Sequence, residues 1–247
     1  AAVAIQNTSH FGPAGAFSKA AADAGMIALV FGNSDGFVRL FDGAEPFHGT
    51  NPISVAVPSG QGNPWLLDMA TSSVPFNRVE LHQSLQRDLP RGVASDSDGG
   101  DTTDPFCAEM LAPLGGSDFG FKGAALGGVA EIFSAVLTGM KLSPDIAPMA
   151  GPDFLRAREM GAFVIVMDPV AFVAAPLVEA GMTRYLALLR GSKPRAGQYV
   201  MAPGDREWAR AAQRQVKGIP LDPITVTNFS QLADAYKVKL PWHAGPS

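Results

Sequence analysis

Residues 123–137 carry a single charge, Glu131, among glycine, alanine and large apolar side chains. Such a run has no polar face to offer water, so it predicts a helix buried on most sides within a layered fold. Gly127 and Gly128 sharpen the point, because each weakens a helix by roughly 1 kcal/mol relative to alanine. A cost of that kind suggests close backbone packing. Before and after this segment, short β-rich apolar runs at residues 3–6, 26–31, 53–57, 65–68 and 162–168 read as strands. Gly12-Pro13 opens a helix, since proline suits the first helical position, and Phe17, Ala20, Ala21 and Ala24 supply its apolar stripe. Residues 176–189, 205–217 and 229–237 read as three more helices.

Between them, residues 83–113 turn polar, centred on Ser95-Asp96-Ser97-Asp98-Gly99-Gly100-Asp101, and read as a surface excursion. Residues 143–152 hold three prolines and form the candidate linker. The expected division is therefore residues 1–143 and 144–247, a length of 247 residues being enough for one large or two modest cores. A formal net charge of −4, with lysines and arginines scattered along the chain, lacks the basic footprint of a nucleic-acid binder. Uninterrupted apolar runs such as 162–167 fall short of the roughly 20 residues a bilayer crossing needs, so no membrane partner is expected. Cys107 stands alone, which precludes an internal disulfide and suits a reducing, cytoplasmic setting.

Four short segments carry chemistry. Ser9-His10 precedes the helix start at Gly12-Pro13, where free N–H groups and the helix dipole suit a pyrophosphate or carboxylate, while the His10 imidazole can pass a proton. The plainer reading makes Ser9 a cap and His10 an ordinary loop histidine. His48-Gly49-Thr50-Asn51-Pro52 offers a glycine that lets backbone approach a flat ring and two hydrogen-bonding side chains, or simply a turn before a strand. Asp68 to Ser73 lies at a strand exit, where layered α/β folds often bind ligands. Lys122 opens the nearly charge-free helix and calls for an anion, either a cofactor phosphate or an internal carboxylate. Neither G-x-G-x-x-G nor a P-loop occurs, and four dispersed histidines with one cysteine give no metal-ligand spacing, so no metal site is expected.

Taken in order, Asn7-Thr8-Ser9-His10-Phe11-Gly12, Gly49-Thr50-Asn51-Pro52, Leu67-Asp68-Met69-Ala70-Thr71-Ser72, Thr102-Thr103-Asp104-Pro105, Leu114-Gly115-Gly116 with Phe121-Lys122-Gly123, and Pro203-Gly204-Asp205 resemble the motif series of the malate/L-lactate/ureidoglycolate dehydrogenases. The resemblance implies an NAD(P)-dependent oxidoreductase that moves a hydride between nicotinamide and a small 2-hydroxy acid, with NADPH-dependent cyclic imino-acid reduction, or a truncated non-catalytic dinucleotide-binding protein, as the alternatives. It implies a mostly antiparallel sheet with flanking helices, not a Rossmann fold, and a homodimer. By the same resemblance His10 is the proton acceptor, Phe11, Gly12, Pro13, Ala14, Ser34, Asp68, Met69, Ala70 and Lys122 contact NAD or NADP, and Thr50 meets the substrate, a 2-hydroxy or 2-oxo acid. The family's amino-terminal helical region, with its S-H-G segment and arginine, is expected to be missing. Arg78 stands where a lysine or an aspartate is usual, and Phe76-Asn77 replaces a small-glycine pair.

Overall fold

The computed structural model describes residues 1–60, 62–149, 151–240 and 242. The first half runs β1 (Ala2–Thr8), α1 (Ala14–Asp23), β2 (Ile27–Gly32), β3 (Val38–Arg39), β4 (Pro46–His48), β5 (Ile53–Val57), β6 (Trp65–Met69) and α2 (Phe76–Ser84). It continues with β7 (Ala94–Ser95), β8 (Asp101–Thr102), β9 (Met110–Leu111), α3 (Gly116–Glu131), β10 (Met160–Met167), α4 (Ala175–Arg190), α5 (Asp205–Lys217) and α6 (Pro223–Tyr236). A π-helical turn, Ile132–Val136, prolongs α3.

The main sheet has the order β1-β10-β2-β5-β6, and each of its pairings is antiparallel. The expectation of a mostly antiparallel sheet with flanking helices thus describes this architecture at the level of mixed α and β. Ala28, Val30, Ser54 and Ala56 are buried on the side that receives α1. That helix presents Ala14, Gly15, Ser18 and Ala22, side chains small enough for close approach, and the Ser18 and Ser54 hydroxyls meet at 2.7 Å. The predicted stripe is displaced: Phe17 is half exposed and packs edge-on against Phe11. On the opposite side Phe133 of the π turn stacks on Phe31 of β2 and lies edge-on to Phe163 of β10.

A second sheet, β4-β3-β9-β7-β8, draws three of its strands from residues 83–113, so that segment is more than a surface excursion. Val38, Val79, Leu89, Val93, Ala94 and Leu111 form its core beneath α2. Two-residue strands leave no periodicity to read, which is why the pattern was silent there. The expected division between residues 143 and 144 meets a main sheet with strands from both sides of it, since β10 lies between β1 and β2. Ser143 is fully buried, so the expected linker starts as a packed corner.

The nearly charge-free helix also differs from its prediction. Its buried residues are Gly116, Gly120, Gly123, Gly127, Ala130 and Glu131, whereas Leu126, Val129, Ile132 and Val136 are exposed. The small side faces the protein because backbone can approach there, and the large apolar side is left open. Residues Gly116–Val136 are long and apolar enough to cross a bilayer by length and composition, yet their glycine side packs on this fold. The arginines that look scattered in sequence also gather in part: Arg206, Arg210 and Arg214 line one cleft along α5.

Candidate functional site

Strand direction decides where the four segments meet. Because neighbours run antiparallel, the exits of β1, β2 and β6 and the entry of β5 fall at one end of the main sheet. His10, Ser34, Thr50 and Asp68-Met69-Ala70 therefore lie along that end, although 60 residues separate the first from the last. Phe11 ties two of these loops together. Its ring covers Gly32 at the end of β2, so closely that a side chain at that position would lie 2.6 Å from Cζ, and Pro52 flanks the same spot.

The Gly12 N–H donates to His10 Nδ1 at 3.2 Å, which leaves Nε2 carrying the proton of the neutral ring. His10 is otherwise exposed, Gly12 adopts a left-handed φ of 82°, and Pro13 and Ala14 lead into α1. The start of α1 is not a vacant anion pocket. Pro13 offers no capping side chain, and the Asp68 carboxylate accepts the Gly15 N–H instead, so an internal anion already occupies the positive end of the helix. Burial pushes the Asp68 carboxyl above its ordinary value, the Gly15 N–H holds it down, and the charge of Glu207 near the start of α5 pushes it up further. Met69 ends β6, pairing with Ile53, and Ala70 follows.

Gly49 has a different use from the one its sequence suggests. A side chain there would collide with the Ser34 hydroxyl, so the glycine admits Ser34 rather than a ligand ring. Ser34 Oγ in turn accepts the Thr50 N–H at 3.2 Å, and Thr50 carbonyl oxygen takes the Thr71 N–H at 2.8 Å and the Thr71 hydroxyl at 3.1 Å. Behind Thr50, Asn51 is fully buried in a left-handed conformation, φ 36°. Its amide donates to Glu131 Oε2 at 2.6 Å and to the Gly127 carbonyl, and its Oδ1 accepts the Ser34 N–H at 3.4 Å. Ser143 closes the cluster, donating its N–H to Glu131 Oε1 and its hydroxyl to Oε2, both at 2.6 Å. His48 sits beside it against Gly127; burial lowers its pKa and the charge of Glu131 pulls it back up.

Lys122 stands apart. It is exposed on α3, its ammonium lies 5.3 Å from the Phe119 ring centre and 5.8 Å from that of Phe121, and among the described residues it makes no ion pair. Among the described residues the internal-carboxylate reading of this lysine finds no partner: Glu131, the buried acid of the same helix, lies nine residues further along and is held by Asn51 and Ser143. Sequence reasoning named Asn51 and Glu131 without connecting them, and placed Ser143 in a linker. No local signal joins residues so far apart in the chain. Among the described residues no group of three or more acidic, histidine or cysteine side chains is arranged to hold a metal ion.

Residues 1–230 match the profile of a family described as malate/L-lactate dehydrogenase. A malate dehydrogenase of Pyrococcus horikoshii is 38% identical over 238 residues, covering 94% of this chain and 65% of the relative. A ureidoglycolate dehydrogenase (NAD(+)) of Escherichia coli O157:H7 is 31% identical over 223 residues, 90% of this chain and 62% of that one. The crystal structure of malate dehydrogenase from Entamoeba histolytica superposes with a TM-score of 0.88 at 27% identity, over 98% of this chain and 70% of its own. The chain thus spans roughly two thirds of the length of these relatives.

Proposed function

This chain belongs to the malate/L-lactate dehydrogenase family, and from that premise we propose that it oxidises a small 2-hydroxy acid to the 2-oxo acid with NAD or NADP, and catalyses the reverse. The observation that carries the reading is the meeting of His10, Ser34, Thr50 and Asp68 at one end of the main sheet. The donor set there suits a nicotinamide dinucleotide. Asp68 has oxygens for ribose hydroxyls and the Ser34 hydroxyl is a further polar contact, while Lys122, set apart on α3 and without an ion pair among the described residues, suits a phosphate. A nicotinamide held by these residues would supply hydride acceptance, leaving the alcohol proton to be taken by the protein.

His10 handles that proton. With Gly12 N–H on Nδ1, its Nε2–H can hydrogen-bond the substrate oxygen; proton transfer in either direction runs between a ring protonated at Nδ1 alone and the imidazolium, so it requires the Gly12 contact to open. Thr50 lies alongside to orient the substrate oxygen. Met69 and Ala70 supply an apolar surface next to Asp68, with Phe11, Gly12 and Pro13 on the facing loop and Ala14 buried behind them at the start of α1. The open apolar side of α3, with Leu126, Val129, Ile132 and Val136, supports a homodimer as the working form.

Fluorescence titration with NADH and NADPH, followed by turnover assays with malate, lactate, ureidoglycolate and cyclic imino acids, tests the reading. The expected result is micromolar binding of one nucleotide and turnover of a 2-hydroxy acid. Absence of nucleotide binding overturns it. Binding without turnover points to a non-catalytic dinucleotide binder, and turnover of cyclic imino acids alone to the reductase alternative. Light scattering that returns a monomer at micromolar concentration removes the dimer.

A further inference from the structure

Glu131 takes no part in the chemistry proposed above, yet it is 6% exposed and among the described residues forms no ion pair; its titratable neighbour His48 has its pKa lowered by burial, which favours the uncharged ring. A buried carboxylate without a counter-charge is expensive to keep unless neutral donors surround it. Three do: the Asn51 amide, the Ser143 N–H and the Ser143 hydroxyl, each at 2.6 Å, the short distance of charge-assisted bonds. The Ser143 hydroxyl has one proton, and the 2.6 Å contact to Glu131 takes it in preference to the 3.3 Å contact to Asn51 Oδ1.

The consequence lies on the far side of Asn51. A carboxylate can only accept, so it forces the NH₂ end of the Asn51 amide toward itself and turns Oδ1 the other way. Oδ1 then receives the N–H of Ser34, whose hydroxyl holds the N–H of Thr50. One acid on α3 thereby orders two loops at the end of the sheet. We infer that Glu131 is a positioning residue: acting through the Asn51 amide, it fixes Ser34 and Thr50 for the cofactor and substrate. The inference rests on the nicotinamide reading for its purpose, but not for the coupling itself.

Glu131→Gln replaces the acceptor with a side chain whose NH₂ opposes that of Asn51, which drives the Asn51 amide to flip. Amide hydrogen exchange resolved by residue should show Ser34 and Thr50 about tenfold faster, the loss of one net hydrogen bond, with β5 and α1 unchanged. Nucleotide affinity should fall severalfold in the same variant. Wild-type exchange at Ser34 and Thr50 in Glu131→Gln overturns the inference, as does equal acceleration throughout α3 and the main sheet. If Glu131→Gln does not fold, Glu131→Asp, which withdraws the charge by one methylene, should accelerate the same two amides, and its failure to do so is equally decisive. A wild-type chain that binds no nucleotide defeats the functional reading, while the exchange result still settles the coupling.

Discussion

The corner beneath Thr50 and the rim above it are built on opposite plans. In the corner, Asn51, Glu131 and Ser143 are buried and bonded to one another through short contacts. On the rim, His10 is exposed and Asp68 partly so, its carboxylate also taking the Gly15 N–H, and Lys122 is exposed further off on α3. The difference teaches where rigidity and reactivity are placed. Groups that meet a ligand keep unsatisfied capacity, and groups that hold them in register have none left. Buried polar clusters that are fully satisfied specify one geometry, whereas an exposed side chain has rotamers to spare.

The comparison breaks first at His10. His10→Ala is expected to lower turnover by about 10²–10⁴-fold while leaving nucleotide affinity in place, because only the proton transfer is removed; steady-state kinetics beside a fluorescence titration checks this, and unchanged turnover removes the assignment. Next in size is a change in the packed region. Gly161 of β10 lies against the Ser134 carbonyl of the π turn, with no room for a side chain, so Gly161→Ala is expected to cost about 3 kcal/mol in denaturant unfolding. The rim counterpart, Gly12→Ala, meets no neighbouring atom and strains only a left-handed turn; its cost should stay near 1 kcal/mol. Equal costs would erase the contrast between the two regions.

Lys122→Ala should weaken the dinucleotide about tenfold without shifting the unfolding midpoint, as befits a charge that lies by the Phe119 and Phe121 rings and makes no ion pair among the described residues. The smallest effect concerns His48. Burial lowers its pKa in the folded protein, so the unfolded chain binds the proton more readily, and stability is full above the ordinary histidine value of about 6.5 and declines as pH falls below it. His48→Gln should flatten that acid-side decline in a series of thermal melts, and an unaltered slope would assign it to another group.

How much of this was legible in the sequence follows from the range of each signal. Ile53–Val57 and Asp205–Lys217 read off at their observed bounds, since alternation and amphipathic period are local. The start of α6 was placed late. Asp222 accepts from the N–H groups of Ile224 and Thr225 with Pro223 at the first turn, a capping signal that the apolar pattern further along obscured. The second sheet was missed because its strands are too short to show a period. The face of α1 was misplaced because contact with the sheet selected small residues, Gly15 against Asp68 and Ser18 against Ser54, over the larger Phe17.

From the sequence alone came the alternation of strands and helices, the single cysteine that precludes an internal disulfide, and the ordered motifs that identify the family, because composition and near-neighbour spacing are written in the chain itself. Tertiary structure alone decided that a strand from residues 160–167 enters the middle of the main sheet, that Asp68 rather than a ligand caps α1, and that Glu131 answers Asn51 and Ser143. These are contacts between segments far apart in sequence. Their partners are fixed by which strand lies beside which and by which side of a helix can come close, and no short stretch of residues carries that information.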